Sequence, residues 1–196
     1  MTETRAPDAE PAPQPTAVGR GAAGAADAST ASIGAPIGAP IGAPIGAPIR
    51  DRLRALGERL GRNVKVLIGS PGMGGHSNGA ERIALRARDA GFEVVYQGIC
   101  ATSAQLAQSA IEEGVHLVGL SVPSGAHDEL VSEVLDALRA AGATKVPVVV
   151  VGIIPEADAR ALEARGAARV YTPEDLALGT LMDDLAEIVR RAHGLT

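Results

Sequence analysis

The sequence predicts an open, doubly wound α/β domain built on a five-stranded parallel sheet, preceded by a tail without a core. Three observations lead there. Short β-rich runs alternate with helix-length amphipathic runs from residue 51 onward. Glycines stand where four of the helices should stop, at Gly61, Gly91, Gly114 and Gly142. The run Val146 to Val151 is valine in five of its six positions, as expected of a strand buried on both faces.

The elements follow in order. Residues 1 to 48 are rich in Ala, Pro and Gly, and Ile-Gly-Ala-Pro occurs four times in succession from Ile33 to Pro48. A proline every fourth residue removes backbone donors and blocks helix, so this segment is expected to be disordered or polyproline-like and to act as a tether. The folded domain is expected over 49–196. Ile49, Leu53, Leu56 and Leu60 then keep helical spacing among charges. Strands are predicted at Val64–Ile68, Glu93–Gln97, Val115–Ser121, Val146–Val151 and Ala168–Tyr171. Helices are predicted at Ala80–Ala90, Ser103–Glu113, His127–Ala141, Pro155–Arg165 and Asp175–Ala192. Five such units in about 130 residues fit a flavodoxin-like strand order, 2-1-3-4-5, better than a longer dinucleotide fold. In that order a ligand sits at the carboxyl ends of the first and third strands, where the winding reverses.

Composition excludes several classes. The 196 residues carry a formal net charge of −5 and only 2% aromatics, which argues against nucleic acid as a partner. A single cysteine, Cys100, cannot form an internal disulfide, so a reducing, cytoplasmic setting is expected, and Cys100 reads as an ordinary thiol in the loop after the second strand. The opening MTETRAPDAE lacks the apolar core of a signal peptide. No apolar run approaches the roughly eighteen residues that a membrane span needs. There is no acidic cluster for phosphotransfer and no aromatic to stack a flavin.

The predicted ligand edge carries Gly69 to Gly79, a glycine-rich loop with His76 near its apex. It has neither the Gly-Lys-Ser/Thr of a phosphate loop nor dinucleotide spacing. An imidazole held on such a loop suits metal coordination, although a solvated side chain is the commoner fate of a loop histidine.

Gly74-Gly75-His76-Ser77-Asn78-Gly79 resembles the Asp-x-His-x-x-Gly motif of vitamin B12-dependent mutases and methyltransferases. The likeness continues through His76–Glu81, Arg86–Gly98 and Gly152–Asp158, and spans about residues 51 to 193. It is similar to the cobalamin-binding part of the acyl-CoA mutases, such as the ethylmalonyl-CoA, isobutyryl-CoA and methylmalonyl-CoA enzymes. The resemblance implies cobalamin, as adenosylcobalamin, with His76 replacing the cofactor's own benzimidazole as lower cobalt ligand and the nucleotide tail entering a slot between sheet and helices. It implies a cofactor site at Gly75, His76, Ser77, Asn78, Gly79, Ser121, Pro123, Gly125, Val151, Gly152 and Thr172. It also implies a partner, because the acyl-CoA is held by a barrel of about 250 residues that this chain cannot contain. A separate large subunit would supply it. The corrinoid does the hard chemistry, and no catalytic residue is assigned here.

Three departures fall on that site. Gly74 replaces the motif's aspartate, which in the family orients the imidazole. Pro123 replaces the leucine of a Ser-x-Leu motif while Ser121 is kept. Val151-Gly152 replaces a Gly-Gly pair, and the extra isopropyl group is expected to narrow the slot. The rival expectation is a degenerate domain serving as a regulatory or interaction module. Among other residues, His127 suits a cap or surface role, Thr172 and Asp175 suit an N-cap as well as a cofactor contact, and His116 and His193 read as structural.

Overall fold

The computed structural model describes residues 47–72, 77–123, 125–172, 175 and 178–195. The tail before residue 47 lies outside the described residues, as do Met73, Gly74, Gly75, His76 and Ser124. Six helices and five strands alternate among those described: α1 (Ala47–Leu60), β1 (Lys65–Pro71), α2 (Ser77–Ala90), β2 (Glu93–Ala101), α3 (Ser103–Glu112), β3 (Leu117–Val122), α4 (His127–Ala140), β4 (Val148–Gly152), α5 (Glu156–Arg165), β5 (Arg169–Tyr171) and α6 (Leu178–Ala192). All pairings are parallel and the order is β2-β1-β3-β4-β5, as the alternation predicts.

The period-two geometry of the strands divides the core into two layers. Val66, Ile68, Leu117, Val149 and Val151 face one side, where α1 brings Ile49, Leu53 and Leu56, α2 brings Ile83 and Ala87, and α6 brings Leu181, Leu185 and Val189. Leu67, Val118, Leu120, Val148 and Val150 face the other, against Leu106 of α3, Val131, Val134 and Leu138 of α4, and Leu162 of α5. The alanine stripe of α2, at Ala80, Ala84, Ala87 and Ala90, is buried throughout. Small side chains there let the helix lie close to the sheet.

Several boundaries differ from the sequence reading, each for a local reason. β1 runs on to Pro71 and β2 to Ala101, pairing Gly69 with Gly98 and Pro71 with Ala101 across two register shifts. Gly98 and Cys100 take positive φ at those irregularities, +78° and +61°. Cys100 therefore lies in a bulged edge strand, exposed, and not in a following loop. α2 begins at Ser77 and not at Ala80, so Gly79 sits within its first turn. β3 begins at Leu117 and β4 at Val148, each two residues later than read. Pro155 is the N-cap of α5, one residue before its first turn. The last helix begins at Leu178, three residues later than read.

Candidate functional site

The order reverses between β1 and β3, and their carboxyl ends, with that of β4, gather most of the described site residues. Ser121 on β3 pairs in register with Val151 on β4, and Val122 pairs with Gly152. Residues opposite one another in a parallel ladder share a face, so Ser121 and Val151 both point toward the α2 and α6 layer. Gly79 meets them there: a Cβ at position 79 would stand 2.9 Å from the Ser121 hydroxyl oxygen. The first turn of α2 thus lies against the Ser121 side chain, which would have to turn aside for a larger residue at 79. No hydrogen bond engages the Ser121 hydroxyl among the described residues, and its side chain is half-buried. Gly152 is the more constrained, since a Cβ there would meet a backbone atom, the Val122 carbonyl oxygen, at 2.9 Å.

The remaining expected residues are placed less uniformly. Ser77 and Asn78 open α2. Pro123 is half-buried directly after β3, and Gly125 is exposed with φ +91°. Thr172 lies at the end of β5 and is held by its neighbour: its N–H and its hydroxyl both donate to Asp175 Oδ2 at 3.0 Å. Those two bonds, the backbone one first, hold the Asp175 carboxyl below its ordinary range. Gly75 and His76 lie outside the described residues, and no cluster of three metal-ligating side chains occurs among those described.

Behind Ser121, between sheet and helices, is a cavity of about 10 Å³ lined by Ile68, Ile83, Val149, Val151, Leu181 and Leu185 among others. That is room for a single water at most, against several hundred Å³ for a typical small-molecule site, roughly 300–1,000. Val151 is 8% exposed and packs with these apolar side chains. A cavity of that size has no room for an aromatic ring. A separate, wider and open hollow of about 930 Å³ runs past Ile153, Arg160, Arg169 and Asp175 along the β5 edge.

One pairing at this end has no precursor in the sequence reading. His127 is not a cap; Ala126 occupies that position without a side-chain bond. Its Nε2 lies 3.0 Å from Asp158 Oδ2 on α5. The two residues are 31 positions apart, so no local spacing rule joins them. At the opposite end His116 is buried, with Nδ1 accepting the Lys65 N–H at 2.9 Å and the ring meeting His193 edge-on. Burial, then the Arg62 charge beside it, pushes its pKa down to about 4.

Fold and site together define a small, parallel α/β domain whose strand order reverses between β1 and β3, with close-packed glycines at the carboxyl edge. Residues 64–182, more than half of the chain, match the B12 binding domain family. The chain belongs to the B12-binding domain family. It is 53% identical over 137 residues to the ethylmalonyl-CoA mutase of Methylorubrum extorquens, covering 70% of this chain and 20% of that protein. The Cereibacter sphaeroides ethylmalonyl-CoA mutase is 50% identical over 142 residues, covering 72% and 22%. The chain therefore spans about a fifth of the length of these mutases. The pivalyl-CoA mutase small subunit of Xanthobacter autotrophicus is 40% identical over 129 residues, covering 65% of this chain and 82% of that one. A cobalamin-binding protein from Desulfitobacterium hafniense shares the fold, with a TM-score of 0.54 at 20% identity over 74% of this chain and 70% of that one. No helix among the described residues is long and apolar enough to cross a membrane.

Proposed function

We propose that this chain is the cobalamin-carrying subunit of an adenosylcobalamin-dependent acyl-CoA mutase, acting with a separate substrate-binding barrel subunit. The observation that carries this reading is the convergence of Gly79, Ser121 and Val151 at the β1/β3 switch point. The likeness to a mutase small subunit, over 82% of that protein, supports it. When bound, the cofactor supplies homolytic chemistry that no side chain offers. The chain's own work is positional. Gly79 and Gly152 keep backbone close to the cofactor edge, Ser121 offers an unengaged hydroxyl, and His76 offers the imidazole for cobalt. The adjoining loops, at Ser77, Asn78, Pro123, Gly125 and Thr172, frame the remainder.

A second reading has one specific observation in its favour. The slot is filled to about 10 Å³, with Val151 among its lining, which suits a domain that has lost insertion of the nucleotide tail and acts as a regulatory or interaction module. Titration with hydroxocobalamin, followed by absorbance, separates the two. The mutase-subunit reading expects binding with a histidine-ligated, base-off spectrum that His76→Ala abolishes. Gly74→Asp should tighten it about tenfold or more by restoring a carboxylate behind the imidazole. The purified chain should isomerise no acyl-CoA until a barrel subunit is added. An unchanged cobalamin spectrum at high protein concentration would establish the module reading instead.

A further inference from the structure

The flank of the sheet away from β5 carries a surface that the candidate site does not use. β2 ends the strand order on that side. The Glu93 N–H donates to the Val64 carbonyl oxygen at 2.9 Å. By alternation Glu93 and Val95 turn their backbone groups to β1, and Val94 and Tyr96 turn theirs to the open side. Tyr96 stands opposite Ile68 in the ladder, so its side chain lies on the face that α2 covers. It is 44% exposed. Proteins commonly blunt such an edge with charge. Here no charged residue occurs between Glu93 and Glu112.

The helix over this edge carries a matching pattern. α2 packs on β1 and β2. Its exposed residues Glu81, Leu85 and Arg88 follow one another at helical spacing and form one stripe. An acid begins the stripe, a leucine 42% exposed stands at its centre, and a base ends it. That order is complementary to itself when the helix meets an antiparallel copy.

We propose that this face joins two copies of the chain about a two-fold axis perpendicular to the sheet. β2 pairs antiparallel with β2 of the second copy, and the two α2 helices lie side by side on one face. Glu81 meets Arg88 of the second copy, Arg88 meets its Glu81, and the two Leu85 side chains meet at the axis. The spacing fits. Strands lie about 4.8 Å apart, so two helices that each rest over β1 and β2 come about 10 Å apart, an ordinary packing distance. The heights agree as well. Leu85 is about 7.5 Å up the helix from Ala90, and Val95 about 6.6 Å up the strand from Glu93, so one axis passes beside both. In that register Val94 and Tyr96 of the second copy exchange backbone hydrogen bonds. The register shift after Tyr96 ends regular pairing there, and the α2 stripe supplies the remaining contact. Arg88 meets the adjacent Asp89 at 3.1 Å, an exposed pair that exchanges readily. The axis points the two carboxyl edges in opposite directions, so both stay open.

Sedimentation of the full chain across a concentration series tests this, with thermal unfolding of each variant as the control for folding. Wild type should dimerise reversibly. Leu85→Lys should stay monomeric while melting close to wild type at concentrations where both are monomers. Glu81→Arg and Arg88→Glu should each weaken dimerisation about tenfold, since two exposed pairs turn repulsive. The double variant, or an equimolar mixture of the two single ones, should regain it. That rescue separates the antiparallel helix contact from a general effect of charge. A wild type that stays monomeric up to about 1 mM refutes the proposal. A dimer that Leu85→Lys leaves intact uses another face, which also refutes it. A double variant that associates as weakly as either single one removes the Glu81–Arg88 pairing and the two-fold arrangement built on it.

Discussion

The two edges of the sheet are built from the same alternating elements and end in opposite chemistry. At the amino edge the polar groups are matched to one another. Lys65 Nζ meets Glu93 at 2.9 Å and Glu113 at 3.1 Å, binding β1, β2 and the end of α3 together. His116 accepts the Lys65 N–H, and Arg62 Nε stands 3.1 Å from its other nitrogen. At the carboxyl edge several groups are left open. Among the described residues Ser121 and His127 Nδ1 have no hydrogen-bond partner, and Ile153 is 64% exposed. Close glycine contacts, at Gly79 and Gly152, stand beside the His127–Asp158 and Thr172–Asp175 pairs. One edge thus holds the strands in place, and the other is kept incomplete for something that arrives later. The contrast fails if substitutions at the amino edge change ligand affinity, or if those at the carboxyl edge change only stability.

The largest effect is expected from His116. Its folded pKa of about 4 lies below the ordinary 6.5, so the unfolded chain binds more protons between those values. Its stabilising contribution is then complete above pH 6.5 and is lost as pH falls toward 4. A difference of that size corresponds to on the order of 3 kcal/mol. Arg62, His193, Lys65, Glu93 and Glu113 are the charged or titratable groups around it. Urea unfolding between pH 7 and 4.5 measures the slope. His116→Asn keeps an acceptor for Lys65 N–H but does not titrate, and should flatten the slope while lowering stability overall. Equal slopes in the two proteins would remove His116 from the account.

Next comes Gly79. Alanine is the better helix former by about 1 kcal/mol, but its Cβ would displace the Ser121 hydroxyl from 2.9 Å. These terms oppose each other, so Gly79→Ala should unfold within about 1 kcal/mol of wild type. Cobalamin affinity should nonetheless drop at least about tenfold, since both groups stand at the edge proposed to take the corrinoid, and tenfold is about 1.4 kcal/mol. A variant that loses stability and keeps its affinity would make the contact mere packing.

Strand order was legible because alternation, glycine stops and the valine run all agree, and parallel βαβ units admit few arrangements. Gly79, Ser121, Val151 and Gly152 stand out in the sequence through family resemblance alone, and the ladder sets Ser121 opposite Val151. Other features had no sequence signal. Cys100 at φ +61° is unreadable because cysteine is no turn former. Gly79 lies within the first turn of α2, where a Cβ would press on the Ser121 hydroxyl, a contact from a distant strand. The capping box of Thr102 and Gln105 at α3, by contrast, is written in the local Thr-x-x-Gln pattern. His127 with Asp158, and the nearly filled slot, depend on side chains from separate helices, which no local period encodes.

The smallest effect concerns Lys65, and it tests the amino edge alone. Its side chain is 19% exposed, and the two glutamates beside it are each 47% exposed. Pairs so open to water are screened and contribute little individually, typically below 1 kcal/mol. Removing the shared cation leaves Glu93 and Glu113 facing each other without it, which adds repulsion to the lost attraction. Methionine keeps most of the stem that packs at the start of β1 and deletes only the charge. Lys65→Met should therefore destabilise the fold slightly at low salt, with the difference shrinking at high salt. Urea unfolding at two ionic strengths measures both terms. Hydroxocobalamin affinity of the same variant should equal that of wild type, because Lys65 begins the strand whose far end approaches the ligand. A weakened affinity here would mean that the two edges are coupled through β1, and the division of labour between them would have to be abandoned.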